Sequence, residues 1–216
     1  MFNRENRNHK DNTKLGGIFV FIGGYIGLLT GLLLGHSVNC MSGNITDTGI
    51  TLATLDFHEA FLLFLVIFAF IFGAFLSAKI LDNFKYGYLL ILIIESILLF
   101  HVKFLLITQA LLLASLAMGL QNGFTTYTTW EEGKIRTTHI TGTTTDIGVS
   151  LANKDFHETK FNLFQASMFF LGAIFAFFVA QKIGNTAFFL AGGMIILVLL
   201  IDSGKKFLLK TSSALV

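Results

Sequence analysis

The chain has 216 residues, of which 54% are hydrophobic and 13% charged, with a formal net charge of +2 and a mean hydropathy of +0.73. Soluble domains carry about 25% charged residues, so this balance points to the membrane class. It argues against a nucleic-acid partner, since no basic cluster is interleaved with the 25 phenylalanines, and the single Cys40 excludes an internal disulfide or a thiolate metal cage.

Residues 1–14 are polar and hold Arg4, Arg7, Lys10 and Lys14, which reads as a cytoplasmic N-terminal tail. The apolar run that follows lasts about 20 residues, longer than a signal-peptide core, and lacks a well-placed small-x-small cleavage site. It is expected to be a retained first helix. Six stretches are apolar enough to span about 30 Å of hydrocarbon, at about 15–36, 59–80, 86–102, 104–124, 161–181 and 186–203. Lys103 is the only clear divider between the third and fourth.

A polar segment interrupts this pattern twice, at an offset of 99 residues without a gap. Ser42-Gly43-Asn44-Ile45-Thr46-Asp47-Thr48-Gly49 is matched by Thr141-Gly142-Thr143-Thr144-Thr145-Asp146-Ile147-Gly148, and Asp56-Phe57-His58-Glu59 by Asp155-Phe156-His157-Glu158. A period this long is half of the chain, not a solenoid unit. The expected organisation is therefore a first three-helix repeat over 15–103, a second over 104–204 and a cytoplasmic tail over 205–216.

Three crossings per half, an odd number, invert the second half relative to the first. The basic residues agree. With the N-terminus inside, Lys79, Lys85, Lys134, Arg136, Lys154, Lys160, Lys205, Lys206 and Lys210 join the four of the N-terminal tail on the inner side, leaving Lys103 and Lys182 outside. Counting each polar repeat as a further crossing would need spans of about 11 residues where about 20 are required. The fold class expected is an all-α polytopic membrane protein of about six transmembrane helices in two inverted three-helix repeats, with both termini cytoplasmic.

Within each polar repeat, Asn44 or Thr143 is expected as the N-cap of a short half-helix of about 10 residues, roughly 15 Å long. Asp56 and Asp155 then start the next full span as Asp-x-x-Glu caps. A half-helix at membrane depth must be buried in protein or line a wet cavity, and its N-terminal N–H groups favour an anion or a carbonyl. Ser42, Gly43, Asn44, Asp47, Thr141, Gly142, Thr143 and Asp146 are thus candidate solute-binding residues, with Gln121 and Asn122 lining the same cavity. Surface turns that merely cap helices are the plainer alternative. Small residues recur every fourth position at Gly23, Gly27, Gly31 and Gly35, at Ser115, Gly119 and Gly123, and at Ala69, Gly73 and Ser77. Such stripes predict tight helix packing.

Glu95 lies near the middle of the third stretch, where an acid costs about 2.5–3.5 kcal/mol on insertion scales. It is the candidate coupling group, with Gln109, Gln121, Asn122 and Gln165 as candidate partners. Its counterpart in the second half is Met194, so any such role is asymmetric. His58 and His157 offer too few neighbouring ligands for a metal, and no metal or other cofactor is expected. His139 reads as a loop histidine before it reads as a pH-responsive gate. Tyr127 and Trp130 read as interfacial anchors, and Glu131 to Lys134 as a solvated turn. No enzyme signature is present, neither G-x-S-x-G, H-E-x-x-H nor a Walker loop.

Met41-Ser42-Gly43-Asn44 after a glycine-rich first helix, Met118-Gly119-Leu120-Gln121-Asn122-Gly123, and Arg136-Thr137-Thr138-His139-Ile140-Thr141-Gly142-Thr143 together resemble the T/S-G-N, G-x-Q-N and R-T-T-H-x-T-G signatures of the YoaK-like family. The resemblance covers residues 15–205 or so. It implies a bacterial inner-membrane protein of about six helices and supplies no substrate. One departure is Gly27, standing where relatives often carry an aspartate. The combined expectation is a small-solute transporter in the inner membrane, of unidentified substrate, with its site between the polar repeats. A passive channel and a non-transporting scaffold are the alternatives. The expected partners are the lipid bilayer and the solute, with homo-oligomerisation left open.

Overall fold

The computed structural model describes residues 9–128 and 135–213, with side chains for 15–128 and 135–201. Trp130 and Glu131 to Lys134 lie outside the described residues. The regular elements among the described residues are all helical, with no strand: α1 His9–Leu34, α2 Met41–Ala53, α3 Phe57–Asn83, α4 Gly87–Val102, α5 Ile107–Tyr127, α6 Ile140–Ala152, α7 Phe156–Ile183 and α8 Ala187–Ser213.

Three described segments are long and apolar enough to cross a membrane: Leu15–Leu34, Phe57–Asn83 and Phe156–Ile201. The last, at 46 residues, is about twice the length one crossing needs. A 3-10 turn at Gly184–Thr186 divides it, with Gly184 at φ +52°, the left-handed region a glycine tolerates. α4 is apolar but has only 16 residues.

The surface is that of a protein solvated by lipid. α3 exposes Phe61, Phe64, Phe68, Ile71, Phe72 and Phe75, and α7 exposes Phe170, Leu171, Ile174, Phe177 and Phe178, while Thr30, Ser77, Glu95, Ser96, Ser115, Gln121 and Gln165 are buried. Apolar patches of this extent would not remain uncovered in water. Lipid offers no hydrophobic drive between helices, so close packing and interhelical hydrogen bonds must hold the bundle. The small residues supply both. α3 lies along α5, where Ser115 Oγ donates to the Val66 carbonyl at 2.7 Å and a Cβ on Gly119 would overlap the carbonyl of Phe70. α1 lies along α7 in the same way, since a Cβ on Gly24 would overlap the Phe169 carbonyl, and one on Gly172 the Phe21 carbonyl.

The rest of the α1 stripe has a different use. Gly23 makes room for the Thr137 carbonyl, Gly27 for the Asn39 side chain, and Gly31 adjoins Ser37. These neighbours are not helices but the short segments that lead into α2 and α6.

At the 99-residue offset α1 to α4 correspond to α5 to α8, and the pattern of neighbours is unchanged by the exchange. α3 with α5 answers α7 with α1; α2 on α3 answers α6 on α7; α4 with α8 and α1 with α5 answer themselves. In both long pairs the helices run the same way, residue 66 meeting 115 and residue 74 meeting 123 in one, and Gly17 meeting Phe164 and Tyr25 meeting Phe175 in the other. α4 and α8 run in opposite directions. Ser96 Oγ donates to the Gly192 carbonyl at 3.1 Å, and Phe100, further along α4, reaches Phe189, earlier in α8.

Both half-helices have 13 residues and begin earlier than expected. Their N-caps are Cys40 and His139, neither of which caps with its side chain. Asn44 and Thr143 are therefore not N-caps but fourth residues of the helix. Their own N–H groups bond back to the carbonyls of Cys40 and His139, so the first turn has already closed. Asp56 and Asp155 do cap the long helices: Asp56 Oδ1 accepts from the Glu59 N–H, and Asp155 Oδ1 from those of His157 and Glu158. Between half-helix and cap, Leu55 and Lys154 sit at φ +63° and +57°. The N–H groups of Asp56 and Asp155 close on the carbonyls of Thr51 and Ser150, the paired bonding of a Schellman turn.

Candidate functional site between the half-helices

The entries to α2 and α6 open onto one cavity of about 830 Å³. From the first half it takes Ser37, Asn39, Cys40, Met41 and Ser42; from the second it takes Arg136, Thr138, His139, Ile140 and Thr141. Gly24, Gly27 and Leu28 of α1, Asn122 and Thr126 of α5, Phe70 of α3, and Phe169 and Ala173 of α7 wall it. Most of these residues come as pairs at the 99-residue offset: Gly27 with Thr126, Ser37 with Arg136, Asn39 with Thr138, Cys40 with His139, Met41 with Ile140, Ser42 with Thr141, and Phe70 with Phe169. The cavity thus straddles the relation between the halves.

Each entry segment is held by its backbone. Thr30 Oγ1 accepts the Val38 N–H at 3.2 Å, and Asn44 Nδ2 donates to the Ser37 carbonyl at 3.1 Å. Asn39 Nδ2 donates to the Gly23 carbonyl, and because Gly27 has no side chain the Asn39 amide can lie flat on α1. That bond fixes the amide, so its other end is an acceptor. Asn39 is 5% exposed, and its Oδ1 has no hydrogen-bond partner. In the second half Thr143 Oγ1 donates to the His139 carbonyl at 3.2 Å, and Ile135 is buried with Val20 and Phe161. Gly142 leaves space for the His139 ring as Gly43 does for Cys40 Sγ.

The charge of the lining has one sign. Among the described residues, Arg136 is its only fully charged side chain, no carboxylate lines it, and Arg136 has no acidic partner. The uncompensated N–H groups of the first turns of α2 and α6 add two partial positive charges.

Of the residues singled out from sequence, Ser42, Thr141 and Asn122 line the cavity. Gly43 and Gly142 sit behind the lining as spacers, and Asn44 and Thr143 are buried anchors of the half-helices. Asp47 and Asp146 are exposed and do not line it, because five residues of helix carry them well round from Ser42 and Thr141. Gln121 also points elsewhere: it is fully buried, and its Nε2 donates to the Phe19 carbonyl at 3.0 Å. Glu95 is fully buried on α4, away from the lining, and neither carboxylate oxygen has a hydrogen-bond partner. The partners expected for it bond elsewhere or not to it; Gln165 Nε2, for one, reaches Asn162 Oδ1 at 3.5 Å.

Ser37, Asn39 and Arg136 were not selected from sequence as site residues. The signal was available, since the gap-free offset that pairs Ser42 with Thr141 also pairs Asn39 with Thr138 and Ser37 with Arg136. These upstream positions differ between the halves and so do not register as a repeat.

Apolar flanks, a polar interior and a cavity of about 830 Å³ among buried backbone ends define an integral membrane protein of the polytopic helical class. The chain belongs to the family described as "Protein of unknown function (DUF1275)", which matches residues 15–201 and includes the YoaK-like proteins it resembles. No curated protein and no solved structure matches it.

Proposed function

We propose that this protein is a small-solute transporter of the bacterial inner membrane, with its site in the cavity between α2 and α6. One observation carries the reading: the lining is assembled from residues at equivalent positions of the two halves. Secondary transporters built from inverted repeats place their solute sites at the interface of the repeats, on discontinuous helices. The opposite directions of the equivalent helices α4 and α8 support inversion, because an operation that exchanges antiparallel helices reverses the chain with respect to the membrane. Six crossings with cytoplasmic termini follow from the basic residues of the loops. Ser42, Thr141 and Asn122 contact the solute in this reading, joined by Asn39 and Arg136. Glu95 is the coupling group: a carboxylate without a partner among buried helices is stabilised by the proton or cation it takes up.

The test is uptake of a labelled metabolite mixture by proteoliposomes holding the full chain. Gly27→Leu, which fills the cavity beside Asn39, should abolish uptake, and Glu95→Gln should remove its dependence on an ion gradient. Uptake that survives Gly27→Leu removes the cavity from the pathway. Flux indifferent to every gradient in the unaltered protein favours a passive channel.

A further inference from the structure

Resting on the transport reading, we propose that the cavity takes a small organic carboxylate that also carries an N–H or O–H donor. The negative group is required by the lining. A guanidinium without an acidic partner and two helix N-termini converge on one space, and among the described residues nothing negative lines it. Arg136 can grip a carboxylate through two parallel N–H bonds, as a lysine could not.

The donor is required by a separate observation. Asn39 Oδ1 is buried, has no partner and lines the same cavity, and its amide cannot turn over without losing the bond to Gly23. Asn122 Oδ1 is a second unpartnered acceptor in the lining. Leaving a buried acceptor unsatisfied is unfavourable, and a simple anion would repel both oxygens, so the solute must bring hydrogen. Size and the walls argue for an organic body. About 830 Å³ exceeds what an inorganic oxyanion fills, and Phe70 and Phe169 offer apolar surface.

Cys40, the chain's only cysteine, is exposed in this lining and serves as the probe. In the purified full-length protein in detergent, Cys40 is labelled with an anionic and with a cationic methanethiosulfonate, and the ratio of rates is compared with that for free cysteine. The ratio should favour the anionic reagent by about tenfold over free cysteine and fall back in Arg136→Gln. A ratio equal to that of free cysteine, or unchanged by Arg136→Gln, overturns the anionic half of the assignment.

Protection of Cys40 is then measured with lactate, propionate and propane-1,2-diol, which share a carbon skeleton and carry both groups, the carboxylate only, or hydroxyls only. Lactate should protect at a concentration about tenfold below either analogue. Asn39→Leu should erase its advantage over propionate, and Asn122→Leu should reduce it if the first variant fails to fold. Equal protection by lactate and propionate overturns the donor half. These readouts do not depend on flux. Protection without uptake in proteoliposomes therefore keeps the carboxylate site and removes the transporter, whereas uptake of solutes that never protect Cys40 does the reverse.

Discussion

The two halves of the molecule share a skeleton and differ in what they present to the cavity. In each, an aspartate caps the long helix, a residue at positive φ closes the turn before it, and the fourth residue of the half-helix is buried as an anchor. At the cavity they part: Ser37 corresponds to Arg136, Asn39 to Thr138 and Cys40 to His139. The capping aspartates are thus identical in the two halves, whereas the paired polar positions of the lining diverge. A lining shared by equivalent positions of two halves must differ between them if what it holds is not itself symmetric.

The strongest test of the shared skeleton is the close approach of α1 and α7. Gly24→Ala and Gly172→Ala each push a methyl into a backbone carbonyl that cannot rotate away, and each should destabilise by about 1–3 kcal/mol, read from denaturant unfolding in detergent. Gly49 and Gly148 have open space around them, so the same change there should not destabilise. If all four behave alike, the helices do not pack as described.

The caps come next. Asp155→Ala and Asp56→Ala should each cost about 1 kcal/mol, the former more, because Asp155 accepts two backbone N–H groups and Asp56 one. Reversal of that order would show that the two turns are not equivalent. Leu55→Gly and Lys154→Gly should shift stability the other way by up to about 1 kcal/mol, since an L-residue at positive φ is strained and Leu55 is 71% exposed. Thermal unfolding of the pair should show equal gains if the Schellman turns match.

The smallest effect probes an asymmetry. His36 Nε2 lies 2.6 Å from Glu59 Oε1, while the equivalent positions hold Ile135 and Glu158, which cannot pair. The pair is partly exposed, so Glu59→Gln should change stability by less than about 1 kcal/mol, and a double-mutant cycle with His36→Ala should show the coupling fading in salt. A larger, salt-insensitive coupling would mean the first elbow is held by a bond the second lacks.

Reading the chain without its structure located the helices and the capping aspartates well, for a physical reason. A stretch of apolar residues long enough for a bilayer and an acid ahead of a helix are local statements, complete within a few turns of chain. The site was legible only in part. Ser42, Thr141 and Asn122 stood out as polar residues near the repeat, but the same rule drew in Asp47 and Asp146, which a helix carries to its other side. It also passed over Asn39 and Arg136, whose importance lies in what they meet. The glycines of α1 were legible as a packing stripe, though not that Gly23 and Gly27 receive non-helical chain.

By itself the sequence determined that the protein belongs in a membrane, that it is doubled, and where the long helices after the polar repeats are capped, because composition, period and caps act over short range. The tertiary structure alone decided that residues 99 apart share one cavity. That meeting depends on backbones touching at Gly24, Gly119 and Gly172, where the absence of a side chain permits an approach without naming the partner.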